Sequence, residues 1–434
     1  MNGYSPLIKD TNRLHSQLLF FVIWPFGAFL SSLRNIKSRN FLVMYVLFCI
    51  LLCWDMDVNK SAGYDDLSGM ASLFMYVDHS TTAFLIRLID YVTFAPDAPR
   101  EIYTYFMMWL SHLFSENPHL FFALSSLPFL YFQVKCFKMI LEDDRFVSCI
   151  MGVLIIFLFM FPRDIVTVQN PRFNIALWIC IYVIMKSFHP LTQNNRHLLW
   201  LLATPMIHSS YWFLAPVILS GILLARIGKG ESILIALVYV SIPFSYMSGE
   251  IGQQLNIASL LPLPEGLSAW MTGHLQGEKE AVSWGTSGFY WVPVLFSFLK
   301  TTVYLMVPLA IIRRKAVLNK DPKTRNLFLF YLFLYAFVNF VQVLPVISDR
   351  AVWFVQILSI YMIFRVYGMN SKMYQIILIG CLWSIFSRYY GGVFERSVPY
   401  ILFYTPLPYL IYHYWGVTAM DVQVLDGVDI ESYL

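Results

Sequence analysis

The chain has 434 residues, of which 58% are apolar and only 13% are charged. Soluble globular proteins carry about 25% charged residues, so this composition argues against a soluble enzyme. The apolar content and the six cysteines also exclude a disordered chain and a disulfide scaffold, and a formal charge of +4 is too small to indicate nucleic-acid binding. The sequence predicts a polytopic membrane protein.

Apolar runs recur along the whole chain and predict an all-α fold with about 13 transmembrane helices, in a range of roughly 12 to 14. Several runs are shorter than the roughly 20 residues that cross a hydrocarbon core, so flanking aromatic residues must extend them. The predicted spans are 17–33, 40–54, 119–134, 146–161, 173–188, 198–208, 210–226, 232–247, 289–312, 327–347, 351–366, 374–387 and 400–416.

Two stretches depart from this pattern. The run 198–227 is interrupted by Pro205 and by the polar trio His208-Ser209-Ser210, which predicts a helical hairpin with a short first arm. The apolar stretch 101–114 contains His112. We expect it to be interfacial or re-entrant, because the loop before it lies on the outer face only if this stretch does not cross the membrane.

Orientation follows from Lys and Arg in short loops, which favour the cytoplasm. The loop 313–325 carries six such residues, and counting spans from it places other basic loops on the same side, together with the acidic tail 417–434. Those basic loops are 34–39, 135–145, 186–197, 226–231 and 365–372. The outer face then holds the long segments 55–118 and 248–288, which we expect to form interfacial helices and loops over a membrane-embedded cavity.

Several arginines fall in the short turns of the predicted outer face, where the positive-inside rule makes them unusual. Arg172, Arg350 and Arg388 come from distant parts of the sequence, and Arg163 precedes the first of them. Guanidinium groups bind phosphate oxygens bidentately, so the sequence predicts a shared site for an anionic ligand. For Arg163 taken alone, snorkelling to lipid headgroups is an equal alternative.

Five short motifs stand out along the chain: Gly63-Tyr64-Asp65, Pro99-Arg100-Glu101-Ile102-Tyr103, Arg172-Phe173-Asn174-Ile175-Ala176, the stretch from Leu202 to Ser210, and Asp349-Arg350. Together they resemble motifs of the EpsG/Wzy-like polysaccharide polymerase family. The sequence departs from the family pattern where Phe follows Arg172 and where Ile precedes His208. The resemblance covers roughly residues 20–390.

The resemblance implies a multi-pass protein of the bacterial inner membrane, with a GT-C-like architecture and an active site toward the periplasm. Its activity would be to polymerise undecaprenyl-pyrophosphate-linked oligosaccharide repeats into O-antigen, capsule or exopolysaccharide. The expected partners are that lipid-linked glycan, the lipid bilayer and, as a further candidate, a membrane protein that regulates chain length; no nucleic acid is expected. Pyrophosphate is a good leaving group, so we expect no metal and no other cofactor.

The reaction needs a group that accepts the proton of the sugar hydroxyl. His208, Asp65 and Glu101 are the candidates, and Asp66 could replace Asp65 at the family position. His208 leads because a neutral imidazole is a competent base near neutral pH. Two other functions stay open: an O-antigen ligase, which uses the same donor, and a lipid-linked oligosaccharide flippase or other transporter.

Overall fold

The computed structural model describes residues 5–8, 11–55, 70–71, 73–75, 77–95, 98–99, 101–160, 171–254, 312–313, 315–343, 345–368 and 400–415. These residues form helices and the turns between them, and an isolated β-bridge joins Ile8 to Ser38. The predicted all-α class is confirmed for this part of the chain.

The first three helices are α1 (Thr11–Ile23), α2 (Pro25–Ser32) and α3 (Arg39–Trp54). The predicted span 17–33 is not one continuous helix, since the chain breaks at Trp24, whose φ of −150° and ψ of 90° are extended. Pro25 causes the break, because a proline lacks the N–H that an uninterrupted helix would use. α3 matches the predicted span 40–54.

Among the described residues of the segment 55–118, α4 (Thr81–Thr93) and α5 (Ile102–His112) are the longer helices, and residues 70–71 and 73–75 are also helical. Side chains from α4 and α5, from the helical residues before them and from the next helix form a second, smaller apolar core, which includes Phe74, Tyr105 and Phe121. α5 has 11 residues, and at 1.5 Å per residue it extends about 16 Å, roughly half of a bilayer's hydrocarbon thickness.

The central helices are α6 (Pro118–Leu141), α7 (Ile150–Met160) and α8 (Pro171–Ser187). α8 packs along α6, and α6 in turn packs against α3. Apolar side chains on every side of α8 are buried, and Trp178 is almost completely so. These helices belong to the main hydrophobic core of the described residues.

The predicted hairpin is present, with its turn at His208–Ser210 between α9 (Thr204–Ile207) and α10 (Tyr211–Ile227). Its first arm is mainly a 3-10 helix, Arg196–Ala203, rather than the predicted α-helix. The next helix, α11 (Glu231–Gln254), continues beyond the predicted end at 247, so the first residues of the segment 248–288 are helical. The rest of that segment lies outside the described residues.

Four more helices follow: α12 (Lys315–Lys320), α13 (Pro322–Phe340), α14 (Pro345–Tyr367) and α15 (Leu407–Trp415). The predicted loop 313–325 therefore contains a short helix. α10 approaches α13 closely at Gly221, where a Cβ atom would lie 2.6 Å from the Phe333 ring.

The predicted turn around Asp349 and Arg350 is wrong. The break between α13 and α14 occurs earlier, at a 3-10 turn over Val341–Val343, and Pro345 begins the next helix. Proline is favoured at a first helical position because its fixed φ suits the helix. Arg350 consequently lies within the second turn of α14. The predicted span 374–387 and the tail 417–434 lie outside the described residues, as does nearly all of 289–312.

Two of the described helices are long and apolar enough to cross a membrane, namely α6 and the Arg350–Tyr367 part of α14. Shorter apolar helices occur at Arg39–Trp54, Tyr211–Ile227 and Glu231–Phe244. The predicted total of about 13 spans is not confirmed by the part of the chain that the structure describes.

At the C-terminal end of α14, Arg365 is almost completely buried in an ionic network that we name the Arg365 cluster: Asp143, Arg145, Asp321, Thr324 and Arg365. Arg365 Nη2 donates to Asp321 Oδ2 over 2.8 Å and to Thr324 Oγ1 over 2.7 Å. Arg145 donates to both carboxylate oxygens of Asp143 and to the backbone carbonyl of Arg365. Three of the predicted basic loops thus meet at one end of the bundle.

Candidate functional site

At the other end of α14, the N-termini of four helices converge. Glu101 is the N-cap of α5, Arg172 is the second residue of α8, Ser210 is the N-cap of α10, and Arg350 lies in the second turn of α14. Backbone dipoles place positive partial charge at each helix N-terminus, and the first backbone N–H groups there have no partner within the helix. This end of the bundle is therefore electropositive before any side chain is counted.

Glu101 and Arg172 form an ion pair across two of these termini. Arg172 Nη1 donates to Glu101 Oε2 over 3.0 Å, and both side chains are largely buried. The other oxygen, Oε1, accepts a hydrogen bond from the backbone N–H of Ser209 over 3.3 Å. The carboxylate is thus held from two sides, which fixes its position in the hairpin turn.

His208 and Arg350 meet through Ser210. Arg350 Nη1 donates to Ser210 Oγ over 2.6 Å, and the same oxygen lies 2.8 Å from His208 Nδ1. His208 Nδ1 also lies 3.7 Å from Glu101 Oε1, which joins this half to the ion pair. We name the connected side chains Glu101, Arg172, His208, Ser209, Ser210 and Arg350 the His208 cluster.

Aromatic rings surround the imidazole of His208. Phe173 and Tyr211 both present edge-to-face geometry to it, with ring centroids 5.8 and 5.9 Å away. The Tyr211 ring is fully buried, and its hydroxyl has no hydrogen-bond partner among the described residues. Tyr91 Oη donates to the Pro205 carbonyl over 3.3 Å, which fastens α4 to the hairpin. The walls beside the polar groups are therefore apolar and packed.

The structure brings together four of the residues that the sequence nominated: Glu101, Arg172, His208 and Arg350. Every contact that links them is shorter than 4 Å. The remaining candidates, Asp65 with its neighbour Asp66, Arg163 and Arg388, lie outside the described residues.

Sequence reasoning missed the contacts of Ser209 and Ser210 and the position of Tyr211. The serines were noticed only as a polar break, although two hydroxyls directly after a histidine at a helix start are a usable signal. Tyr211 follows His208 by three residues, and its backbone N–H donates to the His208 carbonyl over 3.0 Å in the turn that opens α10, which brings the two rings together.

The cluster offers two kinds of chemistry. Two guanidinium groups can bind anionic oxygens, and a carboxylate beside an imidazole can exchange a proton with a bound hydroxyl. Among the described residues, no group of three or more His, Cys, Asp and Glu side chains could hold a metal ion. Comparison with family models, with curated proteins and with solved structures finds no match for this chain.

Proposed function

We propose that the protein is a membrane-embedded glycosyltransferase that polymerises oligosaccharide repeats carried on a polyprenyl pyrophosphate, of the undecaprenyl type. One observation carries the proposal: the His208 cluster joins Arg172 and Arg350 to Glu101 and His208 from four separate segments. Such a gathering of anion-binding and proton-transferring groups suits a reaction in which a pyrophosphate departs and a hydroxyl attacks.

Anion binding is the first requirement of this reaction. Charge develops on the leaving pyrophosphate in the transition state, and preorganised donors at that position lower the barrier. Arg172 and Arg350 supply planar guanidinium groups, and the four helix N-termini add positive potential from the backbone. Both arginines are already held by hydrogen bonds, so little reorganisation is needed when the ligand binds.

Proton transfer is the second requirement. The acceptor hydroxyl bonds to the anomeric carbon of the growing glycan, the bond from that carbon to the pyrophosphate breaks, and the hydroxyl proton passes to a base. Glu101 and His208 lie side by side, with 3.7 Å between Oε1 and Nδ1. A positioned group of this kind contributes typically 10²–10⁴-fold to the rate.

The proposed setting is the bacterial inner membrane, with the His208 cluster toward the periplasm. Two helices of spanning length and the outward apolar face of α4 support a membrane location. On α4, Leu85, Ile89 and Val92 are exposed, while the Arg87 guanidinium lies over the Tyr105 ring, 4.9 Å from its centroid. This polarity is inverted relative to a helix in water and fits a helix lying at a lipid interface. The basic segment 313–325 then belongs to the cytoplasmic side.

The test is to replace each arginine by alanine and to follow the glycan ladder of a strain that lacks the native gene. Arg172→Ala and Arg350→Ala should each abolish long polymer while leaving the protein inserted, and lysine should restore little because it lacks the planar fork. Arg325→Ala is the matched control, since Arg325 pairs with Glu231 away from the cluster and is partly exposed. Its ladder should be normal.

The same ladder distinguishes the rival functions. Single-repeat caps indicate a polymerase, whereas accumulation of uncapped core indicates an O-antigen ligase, which shares the donor. A flippase defect would leave lipid-linked repeats on the cytoplasmic face. Normal ladders from both alanine variants would overturn the proposal.

A further inference from the structure

Two hydrogen-bond donors converge on Nδ1 of His208. Ser210 Oγ lies 2.8 Å from this nitrogen, and the backbone N–H of Ser210 points at it over 3.4 Å. A backbone N–H can only donate, so a proton on Nδ1 would face the proton of the amide. The ring nitrogen at this position is therefore better suited to accept than to donate.

Arg350 determines the direction of the serine hydroxyl. Its Nη1 donates to Ser210 Oγ over 2.6 Å, and a guanidinium has no capacity to accept in return. The hydroxyl proton of Ser210 must then point elsewhere, and His208 Nδ1 is the acceptor within reach. The order of donation is Arg350 to Ser210 to His208.

Glu101 is too far away to accept a hydrogen bond from a proton on Nδ1, so it does not favour the other tautomer. Its Oε1 atom is 3.7 Å from Nδ1, longer than the usual range for a hydrogen bond between nitrogen and oxygen. That oxygen already accepts from the backbone N–H of Ser209, and Oε2 accepts from Arg172.

We propose that Ser210 is a positioning residue that holds neutral His208 in the tautomer with its proton on Nε2. The consequence for catalysis rests on the proposed function: the acceptor nitrogen of His208 is already used by Ser210, so Glu101 receives the proton of the attacking hydroxyl, and a ring with its proton on Nε2 can donate to a pyrophosphate oxygen but cannot take up a proton there. This assigns the two neighbours opposite roles, whereas the sequence left both as candidate bases. The assignment follows from the hydrogen-bond network, which is how histidine tautomers are inferred.

The tautomer is measured directly by nitrogen NMR on protein labelled with ¹⁵N-histidine, in detergent and without any substrate. The His208 resonances are identified by their loss in His208→Gln. In the unaltered protein the signals should be those of an Nε2–H ring. Ser210→Ala should produce a mixture of tautomers, because the hydroxyl donor is gone. Ser31→Ala is the matched control and should leave the spectrum unchanged, because the Ser31 hydroxyl lies outside the His208 cluster and donates to the Ala28 carbonyl.

An Nδ1–H ring in the unaltered protein, or an unchanged ring in Ser210→Ala, would overturn the positioning role. This readout does not depend on which reaction the protein catalyses. If the tautomer is the one expected but Arg172→Ala and Arg350→Ala make normal polymer, the proposed function is refuted and the positioning role of Ser210 is not.

The catalytic consequence is tested with two substitutions at one position. The glutamine amide of His208→Gln can donate near the place of Nε2 but cannot shuttle a proton, so it should retain about a tenth or more of the polymerisation rate. His208→Ala, which has no donor, should lose about 10²-fold. Equal losses in the two variants would make His208 a base and overturn its role as donor. Ser210→Ala should fall between the two, at about a tenfold loss, since one of two donors to Nδ1 remains.

Discussion

The His208 cluster and the Arg365 cluster lie at opposite ends of α14 and use the same residue types differently. In the Arg365 cluster, guanidinium groups bond directly to the carboxylates of Asp143 and Asp321. The His208 cluster has one such direct pair, Arg172 with Glu101, but its second arginine, Arg350, reaches Glu101 only through a serine hydroxyl and an imidazole. Arg350 can exchange the neutral serine for a ligand at a lower cost than a direct buried ion pair, whose separation leaves a buried charge without its partner.

Of the charged side chains in the two clusters, the two most buried belong to the Arg365 cluster. The Arg365 side chain is 1% exposed and that of Asp143 is 3%, while those of Asp321 and Arg145 are 20% and 27% exposed. In the His208 cluster, Glu101 is 8% and Arg172 is 18% exposed. Burial raises the pKa of Asp321, but hydrogen bonds from Thr324 and the Arg365 guanidinium outweigh it and bring that pKa below its usual value. We infer that the Arg365 cluster fastens three segments together and that the His208 cluster receives a ligand.

The largest expected contrast is an all-or-none difference in labelling between the two ends. In a background without native cysteines, Asp78→Cys should react with a membrane-impermeant thiol reagent in intact spheroplasts, because Asp78 is exposed in the segment that carries α4. Lys320→Cys, also exposed, should react only after the membrane is opened. The exposed native Cys149 must be replaced first, since it would add its own signal. The reverse pattern would place the His208 cluster in the cytoplasm.

The next effect concerns stability. Arg365→Met should lower the free energy of unfolding by about 3–5 kcal/mol, because it leaves the carboxylates of Asp321 and Asp143 buried without their shared cation. Unfolding in mixed detergent micelles measures the change. Lys138→Met is the control: the Lys138–Glu142 pair is partly exposed at 3.6 Å, so its loss should cost under about 1 kcal/mol. Equal losses would mean that the Arg365 cluster is no stronger than a surface pair.

The smallest effect is a pH dependence at the Arg365 end. Burial, followed by nearby Lys186, lowers the pKa of His189 from 6.5 to about 4, and burial with nearby Arg226 does the same for His197. The unfolded chain therefore binds these protons first, and stability should fall as the pH decreases from about 6.5 towards 4.

Unfolding midpoints measured between pH 7 and pH 4.5 test this dependence. The double variant His189→Asn, His197→Asn should flatten the slope in that window. Asp321 contributes only at lower pH, because its stabilising effect is lost as the pH falls below its usual 3.8. A double variant with the slope of the unaltered protein would contradict the assignment to these histidines.

The sequence predicted how residues are distributed between the two ends better than it predicted their contacts. Counting apolar runs placed Arg172, His208 and Arg350 on one side, and the structure joins them at one end of the bundle. The hydrogen-bonded connection from Arg350 through Ser210 to His208 was not predictable. It requires α14 to begin at Pro345, whereas hydropathy placed a turn at Asp349-Arg350. Apolar runs continue across a 3-10 turn, so composition alone does not locate such a break.

The Arg365 end shows the same limit. The positive-inside rule assigned Arg145 and Arg365 to one face because both follow apolar runs. Their carboxylate partners, Asp143 and Asp321, were counted only as loop residues, since pairing depends on how three distant segments pack. The 3-10 helix Arg196–Ala203 was also missed, because a short apolar run has no periodicity that separates it from an α-helix.

Arg350 and Arg365 both lie on α14, so a rotation of that helix about its Arg365 end would displace Arg350. Arg350 and Arg365 are 15 positions apart, which is about 22 Å along a helix axis. Because the buried ion pairs hold the Arg365 end, a tilt of about 5° around it would move Arg350 by about 2 Å. Added to the 2.6 Å contact with Ser210, a movement of that size would take the two atoms beyond hydrogen-bond range, so the bond at one end of α14 depends on how firmly the other end is held.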